Sequence, residues 1–532
     1  MLEFHQKKKF FFFNKEEILI EFNNFPSSHP FLSLISNFLS KKFNCKIKAY
    51  NNYILTTQNF EHSILKRIKW IIGVIFNLKT WGLYKSFGVV GFVNPSKPRI
   101  KSETQKLINK ITISLKKKSD IFNIKYKKII IGDLIYDGYL KFYSLNTVEL
   151  KDARFKKYIY DFMLLAQYWD DYFENKKVKF IIGCHPYYSY GLILRIGLKH
   201  KINCYYIISG KLYRMTLNRM FGGLQYLDYK KNFNHLTYKQ KKIALIKSKS
   251  ALEARFSGQL GNVIKDILAP RSAYNVNYNK TNRVLKKNKK IKILICTHQL
   301  GDCYYAYGNN LFPDFYEWLA FLANLSKDTE YDWYIKDHPP YDKLKIISSF
   351  NRTYALSKDI VRNNNKITYI NPITSHNQLI NEGIDYVLTI YGSVAFEYAY
   401  HNVPVLTATK HCPTRIYGFN IHSDSIAHYE FQIRNLKKIK TKIRKKEVLE
   451  FFFSHQFFND TDCLFEDFSS FINSNTFDDY DTEKFYNFWN KKINNNKIIE
   501  MQKILRRFID SKDYTLNLNH NTERLNKILL NN

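Results

Sequence analysis

Two histidines in this chain stand before prolines where an apolar run stops: His338 in "DWYIKDHPPY" and His185 in "KFIIGCHPYY". Imidazole titrates near neutral pH, so it can bond to a phosphate oxygen or protonate a leaving group. The proline after it disfavours helical geometry and fixes the turn leaving the strand. A second set of chemical groups lies in "YVLTIYGSVAFEYAYHNVPVLT". Gly392 permits a tight bend, and Ser393 stands where a helix N-cap belongs. Glu397 follows one helical turn later, on the same face as Ser393. Free amides at a helix start beside a hydroxyl suit a phosphate, and a carboxylate at 397 suits ribose hydroxyls. Taken alone, Ser393 reads sooner as a plain cap, Glu397 as a solvated first-turn acid and each His-Pro as a tight turn. What favours a binding site is that several such segments fall at strand ends.

The elements that would position these groups are continuous apolar runs separated by helical segments. Candidate strands are Lys128–Ile131, Phe180–Ile182, Cys204–Ile208, Ile291–Cys296, Trp333–Lys336, Ile367–Ile370, Tyr386–Ile390 and Val403–Leu406. Runs rich in Ile and Val, without alternation, read as parallel strands covered on both faces by helices. "PDFYEWLAFLANL" carries Asp314 and Glu317 at capping-box spacing, with Phe315, Trp318, Leu319, Leu322 and Leu325 on one face. "RFKKYIYDFMLLAQYWDDYF" is a second amphipathic helix.

In open parallel sheets, ligands bind beyond the carboxyl ends of the strands. Four segments put polar residues there: His298 and Asp302 in "CTHQLGDCYYAYG"; Lys336 and His338; Asn371, Ser375 and His376 in "INPITSHNQLI"; and Thr389, Tyr391, Gly392, Ser393 and Glu397. The expected architecture is α/β, with two Rossmann-like doubly wound domains facing a cleft. Residues 1–275 form the first, 276–290 a basic linker, 291–433 the second, and 434–532 a helical tail packing back on both.

Composition narrows the class. At 532 residues the chain exceeds one core. The charge is +37 from 83 basic and 46 acidic residues; it reads either as abundant surface lysine or as attraction to an anionic membrane surface. Nucleic acid is disfavoured, because no RNP, zinc-finger or helix-turn-helix signature accompanies the basic runs. Seven scattered cysteines lack any Cys-x-x-Cys and read as reduced thiols of a cytoplasmic protein, peripheral at most to the inner face of the membrane. "WIIGVIFNL", Trp70–Leu78, is too short to span a bilayer. It reads as a buried helix leading into a strand, with an interfacial patch as the other reading. No metal site is expected: "WDD" at 169–171 lies inside a helix, "DDYD" at 478–481 lies in a polar tail, and no His/Cys cluster has zinc spacing.

"WYIKDHPPY", "ITYINPITSHNQLI" and "DYVLTIYGSVAFEYAYHNVPVLTA" together resemble the donor half of GT-B glycosyltransferases from bacterial capsule and surface-polysaccharide clusters, which include the capsule Kdo transferases. Bacterial sialyltransferases show a related His-Pro and serine arrangement. The likeness is strongest from about Lys290 to Tyr429. It implies transfer of a sugar from a nucleotide-activated donor, a CMP-sugar first among them, to a glycan or glycolipid acceptor, without a cofactor. Carried over, His338 and Ser393 would contact the donor phosphate and Glu397 the ribose or sugar, with Lys336, Thr389, Gly392 and Asp302 lining the cleft. An acidic base would come from the first domain. Asp133 and Asp137 in "GDLIYDGY" are its candidates, read equally well as a helix cap and a first-turn acid. His185 would face the acceptor, or serve only its turn. A CDP-polyol phosphotransferase of the teichoic-acid type shares this pattern, and a non-catalytic basic scaffold is the reading outside enzymes.

Overall fold

The computed structural model describes residues 16–51, 64–208, 210–258, 273–274, 282–338, 347–439, 441–468, 487 and 489–530. The basic run at 6–15, residues 276–281 of the expected linker and the acids at 478–481 lie outside them.

Two six-stranded sheets organise the chain. The first contains β1 (Glu17–Phe22), β2 (Lys46–Asn51), β3 (Val89–Val93), β6 (Val178–Gly183), β7 (Asn203–Ile208) and β8 (Lys211–Met215). Their spatial order is β3-β2-β1-β6-β7-β8. The second contains β9 (Lys292–Cys296), β10 (Asp332–Lys336), β11 (Ile367–Ile370), β12 (Tyr386–Thr389), β13 (Val405–Thr407) and β14 (Ile421–His422), in the order β11-β10-β9-β12-β13-β14. Every neighbouring pair is parallel except the antiparallel β7–β8. Both orders are that of a Rossmann-type doubly wound sheet. Five consecutive buried residues in β9 and in β10 show why: helices cover both faces, as the unbroken apolar runs predict.

Three expectations need correction. Ile129–Ile130 (β5) does not join a main sheet; it pairs antiparallel with Lys125–Tyr126 (β4) in a two-residue hairpin. The sheet's own opening strands, β1 and β2, went unread. The helix Ile64–Ile75 is not buried: Ile68, Ile71, Ile72, Ile75 and Phe76 are 41–66 % exposed.

The two sheets turn their carboxyl edges toward each other, and the loops on those edges touch. Asp314 ties them together. It caps the helix Phe315–Lys327 by accepting from Glu317 N (2.8 Å), and it also accepts from Tyr136 Oη and Thr147 Oγ1 of the first domain, both at 2.6 Å. Lys118 reaches Glu317 (2.6 Å), and Arg352 donates to the Leu145 carbonyl (2.8 Å). The tail contacts both halves. Phe451 lies against Phe396 on one side and Tyr229 on the other, and the segment around Tyr514–Leu516 bonds along the free edge of β8.

Candidate functional site

Beyond β9 and β12, where the strand order of the second sheet reverses, several polar groups meet. Thr389, the last residue of β12, is fully buried. Its Oγ1 accepts from Gly392 N (3.2 Å) and lies 3.0 Å from His298 Nε2. A Cβ on residue 392 would come within 2.9 Å of that hydroxyl, so the turn is closed against any larger side chain. Ser393 begins the helix Val394–Tyr400. Its side chain makes no cap bond and is exposed at the edge. His298 stacks on Phe315 (4.8 Å, 12°) and against Tyr391 (4.8 Å). Burial pushes its pKa down to about 3, with the charge of His338 adding to the effect. The ring is therefore neutral, and Ile390 N–H donating to Nε2 (3.3 Å) places its proton on Nδ1.

His338 is exposed at the carboxyl end of β10 and lies close enough to His298 and His376 to depress both. Asp337 anchors it. That carboxylate is buried and accepts from Thr297 Oγ1 (2.7 Å), Ser357 Oγ (2.6 Å) and Tyr369 Oη (3.0 Å), which stitches together the ends of β9, β10 and β11. The sequence reading passed over Asp337, although its place between a strand and the His-Pro turn was a usable signal.

Two donor-side candidates lie behind the surface instead. Lys336 is 2 % exposed; its ammonium donates to the Pro372 carbonyl (2.8 Å), and burial lowers its pKa to about 8. Glu397 is 1 % exposed and forms an ion pair with Arg255 Nη2 (2.6 Å) and Nε (2.8 Å), while its other oxygen accepts from Tyr274 Oη (2.8 Å). Both carboxylate oxygens of Glu397 are engaged inside the fold and the side chain is buried, so in this structure it does not reach the surface where the expected ribose contact would lie. The sequence reading had no access to Arg255, which lies 142 residues away.

The first domain supplies the facing wall through the helix Gly132–Tyr143 and the turn after β6. Asp133 is engaged: Arg195, itself 1 % exposed, donates from Nη2 to its Oδ2 (2.6 Å). Asp137 is different. Its Oδ2 accepts from Tyr305 N (3.0 Å), and Oδ1 is buried with no hydrogen-bond partner among the described residues. Burial raises its pKa well above the carboxylate range, and the charges of Asp133 and Asp302 push the same way. Asp302 is exposed and accepts from Tyr188 Oη (3.3 Å) across the interface. Tyr391 donates to the Cys303 carbonyl (3.0 Å) and feels both Asp302 and Asp137, so the 389–393 turn and the two acids share one region. His185 is half-buried on the first domain's edge between Phe25 and Tyr190, with Nδ1 unpartnered among the described residues. Burial lowers its pKa, and Lys141 adds to this. Of the residues singled out, His338, Thr389, Gly392, Ser393, Asp302 and Asp137 converge, His298 joins them, and Asp133, Lys336 and Glu397 support them from behind. Among the described residues, no group of three or more His, Cys, Asp or Glu side chains could hold a metal ion.

No family model and no curated protein matches this chain. Among solved structures it is similar to the UDP-GlcNAc 2-epimerase of Methanocaldococcus jannaschii in complex with UDP-GlcNAc and UDP, at 12 % identity and a TM-score of 0.24, covering 82 % of this chain and 98 % of that one. It is similar to the Neisseria meningitidis UDP-GlcNAc 2-epimerase bound to UDP-GlcNAc, at 10 % identity and 0.22, covering 82 % and 97 %. A glycosyltransferase from Rickettsia africae ESF-5 aligns at 10 % identity and 0.20, covering 98 % and 100 %. Alignments this distant carry no argument about the site. The strand order of the two sheets and the way their carboxyl edges face each other make the architecture that of GT-B proteins.

Proposed function

We propose that this protein is a glycosyltransferase that moves a sugar from a nucleotide-activated donor to a saccharide or glycolipid acceptor, and that a CMP-sugar is the donor to test first. One observation carries the reading: the switch point between β9 and β12 gathers a closed glycine turn, an exposed serine and two histidines, opposite a buried acid of the facing domain. In an open α/β sheet, that crevice is where ligands bind.

In the proposed reaction, the donor phosphate sits against the amide and hydroxyl of Ser393, with His338 donating to it. The acceptor hydroxyl attacks the anomeric carbon, and its proton passes to the carboxylate of Asp137. The bond between the anomeric carbon and the phosphate oxygen breaks, its electron pair leaves on that oxygen, and His338 stabilises the charge. The proposed step needs no metal, so it should survive chelation by EDTA.

A melting-temperature screen against CMP, CDP, UDP and GDP tests the donor site directly. A ligand that binds only the folded state stabilises it by about 2.7 kcal/mol at a hundredfold excess over its Kd. We expect one nucleotide to raise Tm, and His338→Ala and Ser393→Ala to remove both that shift and sugar transfer without lowering the unliganded Tm. No shift with any of the four, or transfer undiminished in both variants, would reject the reading.

A further inference from the structure

The helix Ile64–Ile75 carries two apolar faces, and the fold uses only one. Trp70 and Gly73 turn inward. The Trp70 ring meets Phe22 at 5.2 Å and Trp81 at 5.7 Å, and a Cβ on residue 73 would strike the Trp81 ring at 2.7 Å. Ile68, Ile71, Ile72 and Ile75 follow the i, i+3, i+4, i+7 spacing of a single stripe. They stand 46, 54, 41 and 63 % exposed, and Phe76 (66 %) and Leu78 (46 %) extend the stripe past the helix end. Six large exposed apolar side chains within eleven residues are more than scattered surface leucines and isoleucines would supply.

The charge around this face has one sign. From His62 to Ser102 there are eight Lys or Arg and no Asp or Glu. Lys69, Lys79 and Lys85 are exposed beside the stripe. A second copy of the chain would have to bring one such cationic rim against another, so self-association is disfavoured. A surface of lipid head groups with negative charge satisfies both features at once: the aliphatic stripe enters the acyl boundary and the lysines meet the head groups. The helix is about 18 Å long at 1.5 Å per residue, too short to cross the roughly 30 Å hydrocarbon core. It must therefore lie along the surface.

We infer that this face docks the protein on an anionic bilayer surface. Trp70 packs on Phe22, the last residue of β1, so the docking helix sits at the carboxyl edge of the first sheet, the edge that also carries His185. A docked molecule would thus hold its inter-domain edge near the lipid. The inference rests on exposure and charge, and it stands whichever reaction the second domain performs.

The test uses the full chain and vesicles of phosphatidylcholine, with or without phosphatidylglycerol, in a sedimentation assay. Wild-type protein should sediment with the mixed vesicles at low salt and much less with phosphatidylcholine alone. Ile71→Asp with Ile75→Asp should lower the partition coefficient by about a hundredfold or more, from the loss of two buried aliphatic side chains. Ile113→Asp, at a position 72 % exposed on the helix Ser102–Ser114, should change nothing. Reversing Lys69, Lys79 and Lys85 to Glu should abolish the preference for phosphatidylglycerol. All variants should keep the wild-type melting temperature. Failure of the wild type to bind mixed vesicles at low salt, or equal binding by the Ile71/Ile75 variant, overturns the proposal. So does a wild-type dimer in solution that this variant dissolves while vesicle binding persists, because a second copy would then be the occupant.

Discussion

Replacing Asp137 by Asn separates the proposed base from a structural acid, because it should make the protein more stable and less active together. The carboxylate is 4 % exposed, one oxygen has no hydrogen-bond partner among the described residues, and burial holds its pKa well above the ordinary 3.8, with Asp133 and Asp302 adding to the rise. The sign of the pH effect follows. Below the ordinary value, folded and unfolded chains both hold the proton, and the group has no effect on stability. Between the ordinary and the raised value only the folded chain keeps it, so stability falls as pH rises through that window and levels off above it. Asn carries no charge and should not show this fall. A buried polar atom without a partner costs about 1–3 kcal/mol, and in a domain of 150–250 residues 1 kcal/mol moves Tm by roughly 2–4 °C. Asp137→Asn should therefore melt near the wild type in acid and roughly 2–12 °C above it at alkaline pH. Calorimetry across that range reads the difference. Transfer should drop by about 10²–10⁴, the usual contribution of a general base. A variant that is destabilised at alkaline pH, or that transfers within a few-fold of wild type, would refute the role given to Asp137.

Three further outcomes are expected. Arg255→Leu should destabilise by about 3–5 kcal/mol, because it strands the buried Glu397 carboxylate, and Glu397→Gln should cost less, because the partly exposed Arg255 keeps access to solvent; nucleotide affinity should hold in both, measured by calorimetric titration. Asp314→Ala should destabilise by about 2–5 kcal/mol, by leaving the buried Tyr136 hydroxyl and the half-buried Thr147 hydroxyl without this acceptor and uncapping the helix Phe315–Lys327. Chemical denaturation reads it, and Asp314→Asn should recover part of the loss. Asp170 is fully buried; against that burial, Lys127, Lys199 and His200 bond to it and hold its pKa down to about 2. Its stabilising contribution is present above the ordinary carboxylate pKa and lost as pH falls toward 2, so wild type and Asp170→Asn should differ in Tm at neutral pH and converge in acid.

The sequence revealed most of the second sheet because β9 and β10 are buried along their whole length, and an unbroken Ile/Val run survives as a signal. The first sheet was harder to read. β2 spells "KIKAYN", with lysines at alternate positions, and β6, the sheet neighbour of β1, lies more than 150 residues downstream of β1. Pairing at that separation leaves no local trace. The docking helix shows a different limit. "IKWIIGVI" is apolar nearly all round, which reads as burial. Periodicity tells which residues share a face, but only the packing of Trp70 and Gly73 tells which face the fold covers. Glu397 was misread for a related reason. Its spacing from Ser393 is helical and local, while the arginine that claims its carboxylate comes from the other domain.

The two sheets share one strand order, so fold alone gives each a switch point, one between β1 and β6 and one between β9 and β12. The groups at those points differ in charge. In the first sheet, Glu21 at the end of β1 is 1 % exposed and accepts from Cys184 N at 2.6 Å, and Asn23 donates to Cys184 Sγ. A carboxylate there takes the amide that an incoming phosphate would need and repels its negative charge. In the second sheet the same place holds a neutral His298, the hydroxyl of Thr389 and an exposed Ser393, and the amides of Ile390 and Gly392 donate to His298 Nε2 and Thr389 Oγ1 rather than to a carboxylate. Donor binding to the second domain is favoured by this asymmetry, independently of any likeness to other proteins. It also predicts where a nucleotide should fail to bind: Glu21→Gln removes the repulsion without opening the amide, so nucleotide affinity should stay as in the wild type, and a gain in affinity would show that the first switch point takes phosphate too.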